Sequence, residues 1–202
     1  AYDLVSAKDV TRIQLCDTTP IFDDARIREA FALALDVDQL AVANYGPLWI
    51  EATSILTTNV QYYENVGKNT YDPERAKALL AEAGYPDGGI TLTLLCGTGN
   101  QVLAEAMQAY LAAVGITLNV ETYDIGTLIG MWKEGKSDVL IGETIDGAYF
   151  SDPVNVFANY APTSTTDSMS ISTPEWDAAY EKATRSIDPA TRAEGYSVMQ
   201  HY

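Results

Sequence analysis

Histidine is almost missing from these 202 residues: His201 is the only one. A Ser–His–Asp triad, a Cys–His pair or a His-ligated zinc site would all have to use that side chain, next to the last residue, where a solvated role is the ordinary one. Cysteine is nearly as scarce. Cys16 and Cys96 form no CxxC pair and no zinc spacing. Each ends an apolar, strand-like run, so two buried thiols compete with a pairing in an oxidising compartment. Basic residues are few, 12 against 28 acids, for a net charge of -16. Such a surface repels phosphate backbones and anionic lipid, which excludes nucleic acid as a natural partner. No apolar run nears the roughly 20 residues that a membrane-spanning helix needs. No cofactor and no metal is expected: Asp36 and Asp38 stand two apart, but a capping role accounts for Asp36.

What is present is an ordinary globular balance, 47% hydrophobic and 20% charged, enough to fill a core. The chain opens AYDLV, with no initiator methionine, and closes on GYSVMQHY in what reads as mid-helix. It is therefore taken as a piece of something longer.

The elements are well punctuated. VTRIQLC (10–16) is a strand. In FDDARIREAFALALD (22–36), Ile27, Ala30, Phe31, Ala34 and Leu35 lie on one helical face, with Asp23 and Asp24 at the start as caps. Asp36 and Gln39 have capping-box spacing for a second helix. The stretch 46–71 lacks a period and is expected to be a surface excursion. In YDPERAKALLAEAGYP (71–86), Asp72 caps, Pro73 opens the helix, and Gly84 and Pro86 end it. ITLTLLC (90–96) alternates like a strand. A helix with Leu103, Met107 and Leu111 inward follows, then the strand TLNVET. A short helix with Ile125, Leu128, Ile129 and Trp132 on one side leads to the continuous apolar run DVLIG (138–142). From residue 90 the order is β-α-β-α-β, which implies parallel strands and right-handed crossovers. The tail is helical, with Trp176, Ala179, Tyr180, Ala183 and Ile187 inward and a last helix opened by Asp188-Pro189.

Two turns invite a functional reading. CGTGN (96–100) joins a strand to a helix and Glu121 ends the next strand, a faint echo of a nucleotide site. The third glycine of GxGxxG is Val102 here, so a tight turn is the plainer account. GETIDGAYFSDP (142–153) follows the most apolar strand, and ligands of open α/β sheets gather beyond the carboxyl ends of strands. It offers Glu143, Asp146, Tyr149 and Phe150. A carboxylate beside aromatic rings can hold an ammonium group by a charge-assisted hydrogen bond plus ring contact. The other account is a solvated loop.

Four segments taken together resemble the family 5 extracellular solute-binding proteins, the receptors of peptide, dipeptide and nickel importers of the ABC type. They are TTPIFDDARIREAFALALDVDQL, YDPERAKALLAEAGYPDGGITLTLL, TGNQVLAEAMQAYLAAVGITLNVET and GKSDVLIG, within residues 18–159. The resemblance implies an α/β lobe of the periplasmic-binding-protein-like (type II) kind, with a mixed, mostly parallel sheet flanked by helices. It would be the second of two lobes that close on a ligand. It also implies a peptide as cargo, with a nickel chelate or another solute as the alternative within the family. ABC permease subunits would be the partners. The receptor would be a monomer outside the cytoplasm, free in the periplasm or lipid-anchored, and would carry out no catalysis. In peptide receptors an acid of a "gw-aDYpDP" motif pairs with the ligand's amino group. Asp146 is the best match in this sequence. Glu143 stands where Trp is usual and is a possible substitute, because the loop before Asp152-Pro153 is longer. Tyr149, Phe150 and Trp49 would line the cleft. A nucleotide-binding enzyme domain using the GTGN turn is the alternative from another class.

Overall fold

Short capped helices alternating with apolar strands should layer helices on a sheet, and the computed structural model has that arrangement. It describes residues 9–16, 18–46, 49, 52–145, 152–161 and 173–202; for residues 9 and 143–145 it describes the backbone only. Strands β1 (Asp9–Leu15), β2 (Ile90–Gly97), β3 (Ile116–Tyr123) and β4 (Val139–Ile145) form one sheet in the order β1-β4-β2-β3. β2 runs parallel to β3, from Ile90 opposite Ile116 to Gly97 opposite Tyr123, and parallel to β4, with Leu94 opposite Val139. The expected mixed, mostly parallel sheet flanked by helices is the observed one.

The described residues divide into two compact units, Ile13–Glu51 with Asn69–Gly142, and Ala1–Arg12 with Ala52–Lys68 and Glu143–Tyr202. In the first, α1 (Ala25–Leu33), α2 (Val37–Tyr45), α3 (Pro73–Glu82) and α4 (Gln101–Ala112) bury their apolar stripes against one face of the sheet. Ile90, Leu92, Leu94 and Cys96, two residues apart, all enter that core, as the pleat requires. Leu95, one residue out of phase, is also fully buried. It lies on the opposite face, where α5 (Ile125–Lys133) packs on β2 and β3 through the buried Leu128 and Trp132.

The helix starts are held as the sequence implies. Asp24 accepts from the Arg26 N–H at 2.9 Å, Asp36 from Gln39 at 3.1 Å and Asp72 from Arg75 at 2.9 Å. Asp24 and Asp36, on either side of α1, are thus caps, whereas Asp23 ends the 3-10 turn Pro20–Asp23 that precedes Asp24. Arg26 also reaches the Glu82 carbonyl that ends α3, at 2.7 Å, so one arginine ties the start of α1 to the end of its neighbour. Gly88 and Gly115 back onto each other where β2 and β3 begin. A Cβ on Gly88 would sit 2.6 Å from the Gly115 carbonyl oxygen, and both residues have positive φ, so glycine is needed at each.

The Arg26 side chain, then its backbone N–H, draw the Asp24 carboxyl from 3.8 down to about 2. A carboxylate with a depressed pKa stabilises the fold above its unfolded value and ceases to do so as pH falls through the folded one. Asp24 should therefore contribute fully above pH 3.8 and lose its contribution between 3.8 and about 2. Asp24→Asn, which keeps an oxygen acceptor but no charge, should flatten that part of a thermal-unfolding series taken against pH. An unchanged slope would contradict the assignment.

The second unit packs α6 (Val154–Ala158), α7 (Pro174–Arg185) and α8 (Pro189–Gln200) with the irregular segment 52–68. Its core holds Trp176, Phe157, Tyr196, Leu56 and Val60. The stretch expected to be a surface excursion is therefore partly core: Ser54, Leu56, Thr57 and Val60 are buried. Two further expectations fail for reasons of phase. Ile125 and Ile129 are 70% and 47% exposed, because only the Leu128–Trp132 edge of α5 meets the sheet. Ile187 is 99% exposed, since α7 ends at Arg185 and Ser186 is extended, which takes Ile187 off the helical face.

Candidate functional site

β4 enters the sheet through Asp138, the acid of GKSDVLIG. One carboxylate oxygen accepts from the Thr19 hydroxyl at 2.9 Å, the other from the Thr93 N–H at 2.7 Å. Its backbone N–H donates to the Thr93 carbonyl, and its carbonyl accepts from Cys16, both at 2.9 Å. Through its side chain and its backbone together, this one residue ties the chain just after β1 and the middle of β2 to the start of β4. From that fixed start the strand runs to Ile145, so its carboxyl end is aimed by the sheet.

The segment beyond is where the candidate ligand residues lie. Asp146, Tyr149 and Phe150 fall outside the described residues, as does the side chain of Glu143, which belongs to β4 by its backbone. Trp49 is described and is half-buried. The structure therefore does not bring the five candidates together as a described cluster. What it describes in full is the far end of the segment, where Asp152 leads into α6.

Sequence reasoning treated Asp152 only as a helix start and passed over its partners on α8. The Asp152 carboxylate accepts from the Val154 N–H at 3.1 Å, the Arg192 guanidinium at 2.5 Å and the Tyr196 hydroxyl at 2.9 Å. Arg192 also donates to the Tyr196 hydroxyl at 3.0 Å and, through Nε, to the Ala183 carbonyl of α7 at 3.0 Å. Its guanidinium lies over the rings of Tyr62 and Tyr196, 5.4 and 5.5 Å from their centroids, and those rings stack at 5.0 Å. Tyr62 takes a left-handed backbone (φ 67°), alone among the described non-glycine residues, a conformation that persists in a bulky residue only when its surroundings impose it.

The charges follow from these contacts. Burial works against the Asp152 carboxylate and is its largest single influence. The hydrogen bonds from Arg192, the Val154 N–H and Tyr196 together outweigh it and leave the pKa lowered. Burial, then the bond to Asp152, pushes the Tyr196 hydroxyl up, and Asp152 raises Arg192. At neutral pH the cluster is a half-buried ion pair with a neutral phenol bridging it. The one signal that pointed to it is the i, i+4 spacing of Arg192 and Tyr196, which puts both on one face of α8.

Other candidates resolve into local structure. Thr98–Asn100 is a 3-10 turn running into α4, with Asn100 accepting from the Tyr45 hydroxyl at 3.0 Å, and Glu121 accepts from Tyr123 at 2.8 Å. Cys16 and Cys96 are both buried thiols outside any disulfide, Cys16 3.0 Å from the Thr18 hydroxyl and Cys96 3.7 Å from that of Thr122. Among the described residues, no three His, Cys, Asp or Glu side chains converge as metal ligands, and no helix is long and apolar enough to cross a membrane. A shallow depression of about 250 Å³ lined by Tyr85, Asp87, Gly88 and Gly115 lies where β2 and β3 begin, at the opposite ends of those strands from the edge where ligands of such sheets bind.

Comparison with known proteins agrees with this fold. Residues 5–168 match the family described as bacterial extracellular solute-binding proteins, family 5 Middle. The dipeptide-binding protein of Escherichia coli is 32% identical over 145 residues, covering 67% of this chain and 26% of that protein. Di/tripeptide-binding protein 1 of Pseudomonas aeruginosa is 30% identical over 193 residues, 89% of this chain and 35% of that protein. The crystal structure of a dipeptide-binding protein from a Pseudoalteromonas species in complex with Met-Leu is 27% identical. It superposes with a TM-score of 0.87 over 96% of this chain and 40% of that one. The crystal structure of the Clostridium difficile protein AppA superposes equally well, at 0.87 over 98% of this chain and 42% of the other, at 21% identity, which shows the shared fold. The chain thus spans about a quarter to a third of the length of the curated relatives it matches. With four-fifths of its length inside the family match and its sheet and helices superposing on solute-binding structures, this chain belongs to the bacterial extracellular solute-binding proteins of family 5.

Proposed function

We propose that residues 1–202 are one lobe of a larger two-lobed receptor that binds dipeptides or oligopeptides and delivers them to an ABC importer. The observation that carries the reading is the fold shared, at 27% identity, with a protein that holds Met-Leu, together with dipeptide-binding relatives across most of the chain. The receptor acts outside the cytoplasm as a monomer, free or lipid-anchored, docks on the permease subunits, and releases its cargo chemically unchanged.

In this reading Asp146 takes the cargo's ammonium group, with Glu143 as its substitute, while Tyr149, Phe150 and Trp49 line the cleft. Peptides of varied sequence share one ammonium, one carboxylate and a backbone. A receptor that pairs those groups and leaves side chains in wet pockets accepts many sequences, since water fills unused volume at little cost. A charge pair shut away from solvent by lobe closure is stronger than the same pair on a surface. Closure in turn supplies a state that a transporter can recognise, because the ligand bridges both jaws.

Asp146→Asn in the full-length receptor should weaken binding of Met-Leu by about 2–3 kcal/mol, the usual effect of removing one partner of a desolvated charge pair. Calorimetry measures it directly, and an unchanged affinity removes Asp146 from the role.

A further inference from the structure

We infer that Gln108 guards the outer edge of the sheet: its side chain closes β3 against the addition of a strand from a second copy of the receptor, whatever the cargo.

β3 is the last strand in the order β1-β4-β2-β3, so one side of its backbone has no strand beside it among the described residues. Which residues point that way follows from the ladder. The Thr93 carbonyl accepts from the Asp138 N–H, and the Thr93 N–H donates to the Asp138 carboxylate, so Thr93 faces β4. Leu92 and Leu94, one residue to either side, therefore face β3, where Leu118 and Val120 stand opposite them. In a parallel pair such residues bond the neighbours of their opposite numbers, in this sheet Thr117, Asn119 and Glu121. Ile116, Leu118, Val120 and Thr122 are left pointing away from the sheet, in a row about 20 Å long at the rise of a strand.

An open row of N–H and carbonyl groups is a template for another strand, and β3 suits that part. Ile116, Thr117, Val120 and Thr122 are β-branched. Glu121 is the single charge between Ile116 and Tyr123, and it lies toward one end. Thr117, Asn119 and Glu121, on the face away from α4, are exposed.

Gln108 interrupts this row. It is half-buried on α4, which packs on β3, and its Nε2 donates to the Leu118 carbonyl at 2.7 Å. The amide occupies the place that an incoming N–H would take. The bond falls near the middle of the row, leaving Ile116 alone on one side and Val120 with Thr122 on the other, runs too short for a lasting strand pair. Glu121 covers the remaining end with a charge, the usual complement to a blocked edge.

The test is the mass of the full-length receptor by sedimentation velocity across a dilution series. Gln108→Ala should associate beyond the native receptor as concentration rises, reaching about double its mass. Gln108→Lys keeps a donor and adds a charge at the edge, so it should sediment as the native receptor does. Thr122→Pro removes an outward N–H that the sheet does not use, and added to Gln108→Ala it should restore the native mass. Hydrogen exchange should show the Val120 and Thr122 amides protected in the associated form alone. If Gln108→Ala does not fold, Gln108→Met keeps the packing volume, lacks the donor and carries the same expectation. A variant without the donor that sediments as the native receptor would overturn the guard. So would association that survives Thr122→Pro, which would use another surface, or association of Gln108→Lys equal to that of Gln108→Ala.

Discussion

Replacing Gly195 with alanine should destabilise this protein, although the same change inside an exposed helix ordinarily stabilises by about 1 kcal/mol. Gly195 lies on α8 where it crosses α7. A Cβ there would stand 2.6 Å from the Ala179 carbonyl oxygen, 2.8 Å from the Ala183 nitrogen and 2.9 Å from the Ala183 Cβ. A methyl group has no rotamer to escape into, and two of the three opposing atoms are backbone. The helices must separate, which loosens a core that includes Trp176, Tyr196 and Met199. Overpacking of this kind typically destabilises by 1–3 kcal/mol, so a net loss of about 2 kcal/mol and a Tm lowered by about 4–8 °C are expected in a chain of this size. Gly130 on α5 is the internal control. It is exposed and has open space at its Cβ position, so Gly130→Ala should raise Tm slightly. A rise for both variants would show that the α7–α8 crossing is looser than described.

Gln200→Leu should have a larger effect, at nearly constant side-chain volume. Gln200 is 8% exposed and uses both ends of its amide. Its oxygen accepts from the Ser54 hydroxyl at 2.7 Å and the Glu64 N–H at 3.0 Å; its nitrogen donates to the Tyr62 carbonyl at 2.8 Å and the Tyr196 carbonyl at 3.2 Å. Leucine abandons two donors and an acceptor of the irregular 52–68 segment at once. Each buried polar group left unpaired costs about 1–3 kcal/mol, and a total of about 3–5 kcal/mol is expected after partial rescue by water. The segment has no regular secondary structure to hold it without this clasp. Limited proteolysis should therefore cut first within residues 52–68, and unfolding should occur at markedly lower denaturant. Native-like resistance and Tm would refute the clasp. Gln200→Glu tells acceptor from donor: it keeps the oxygen for Ser54 and Glu64 and loses the donor to Tyr62, so it should fall between the two.

These two sites show which parts of the molecule local patterns reveal. The capped helices were legible because their signals are contained within a few residues. Asp24, Asp36 and Asp72 hold N–H groups two or three positions away, and the stripes of α1 and α3 recur at the period that the backbone imposes. The parallel order of β2, β3 and β4 followed from helices linking them. The core role of Leu56 and Val60 was not legible, because segment 52–68 has no period. It is held by Gln200, more than 130 residues away in sequence. Asp152 read as a helix start by its neighbour Pro153, and the i, i+4 spacing of Arg192 and Tyr196 gives them a common helical face without naming Asp152 as their partner. Ile125 and Ile129 fit a helical stripe, but which edge of a stripe meets the sheet depends on how the helix is rotated against its neighbours.

The sequence alone therefore determined the element types, their caps, the parallel core and the family, because each depends on short-range periodicity, capping chemistry or a run of matching residues. Only the tertiary structure decided which polar groups become partners across long separations: Asp138 with Thr19 and Thr93, Arg192 with Asp152, Gln200 with residues 54–64. Hydrogen bonds and ion pairs need atoms within about 3 Å, and distance along the chain says nothing about that until the fold has closed.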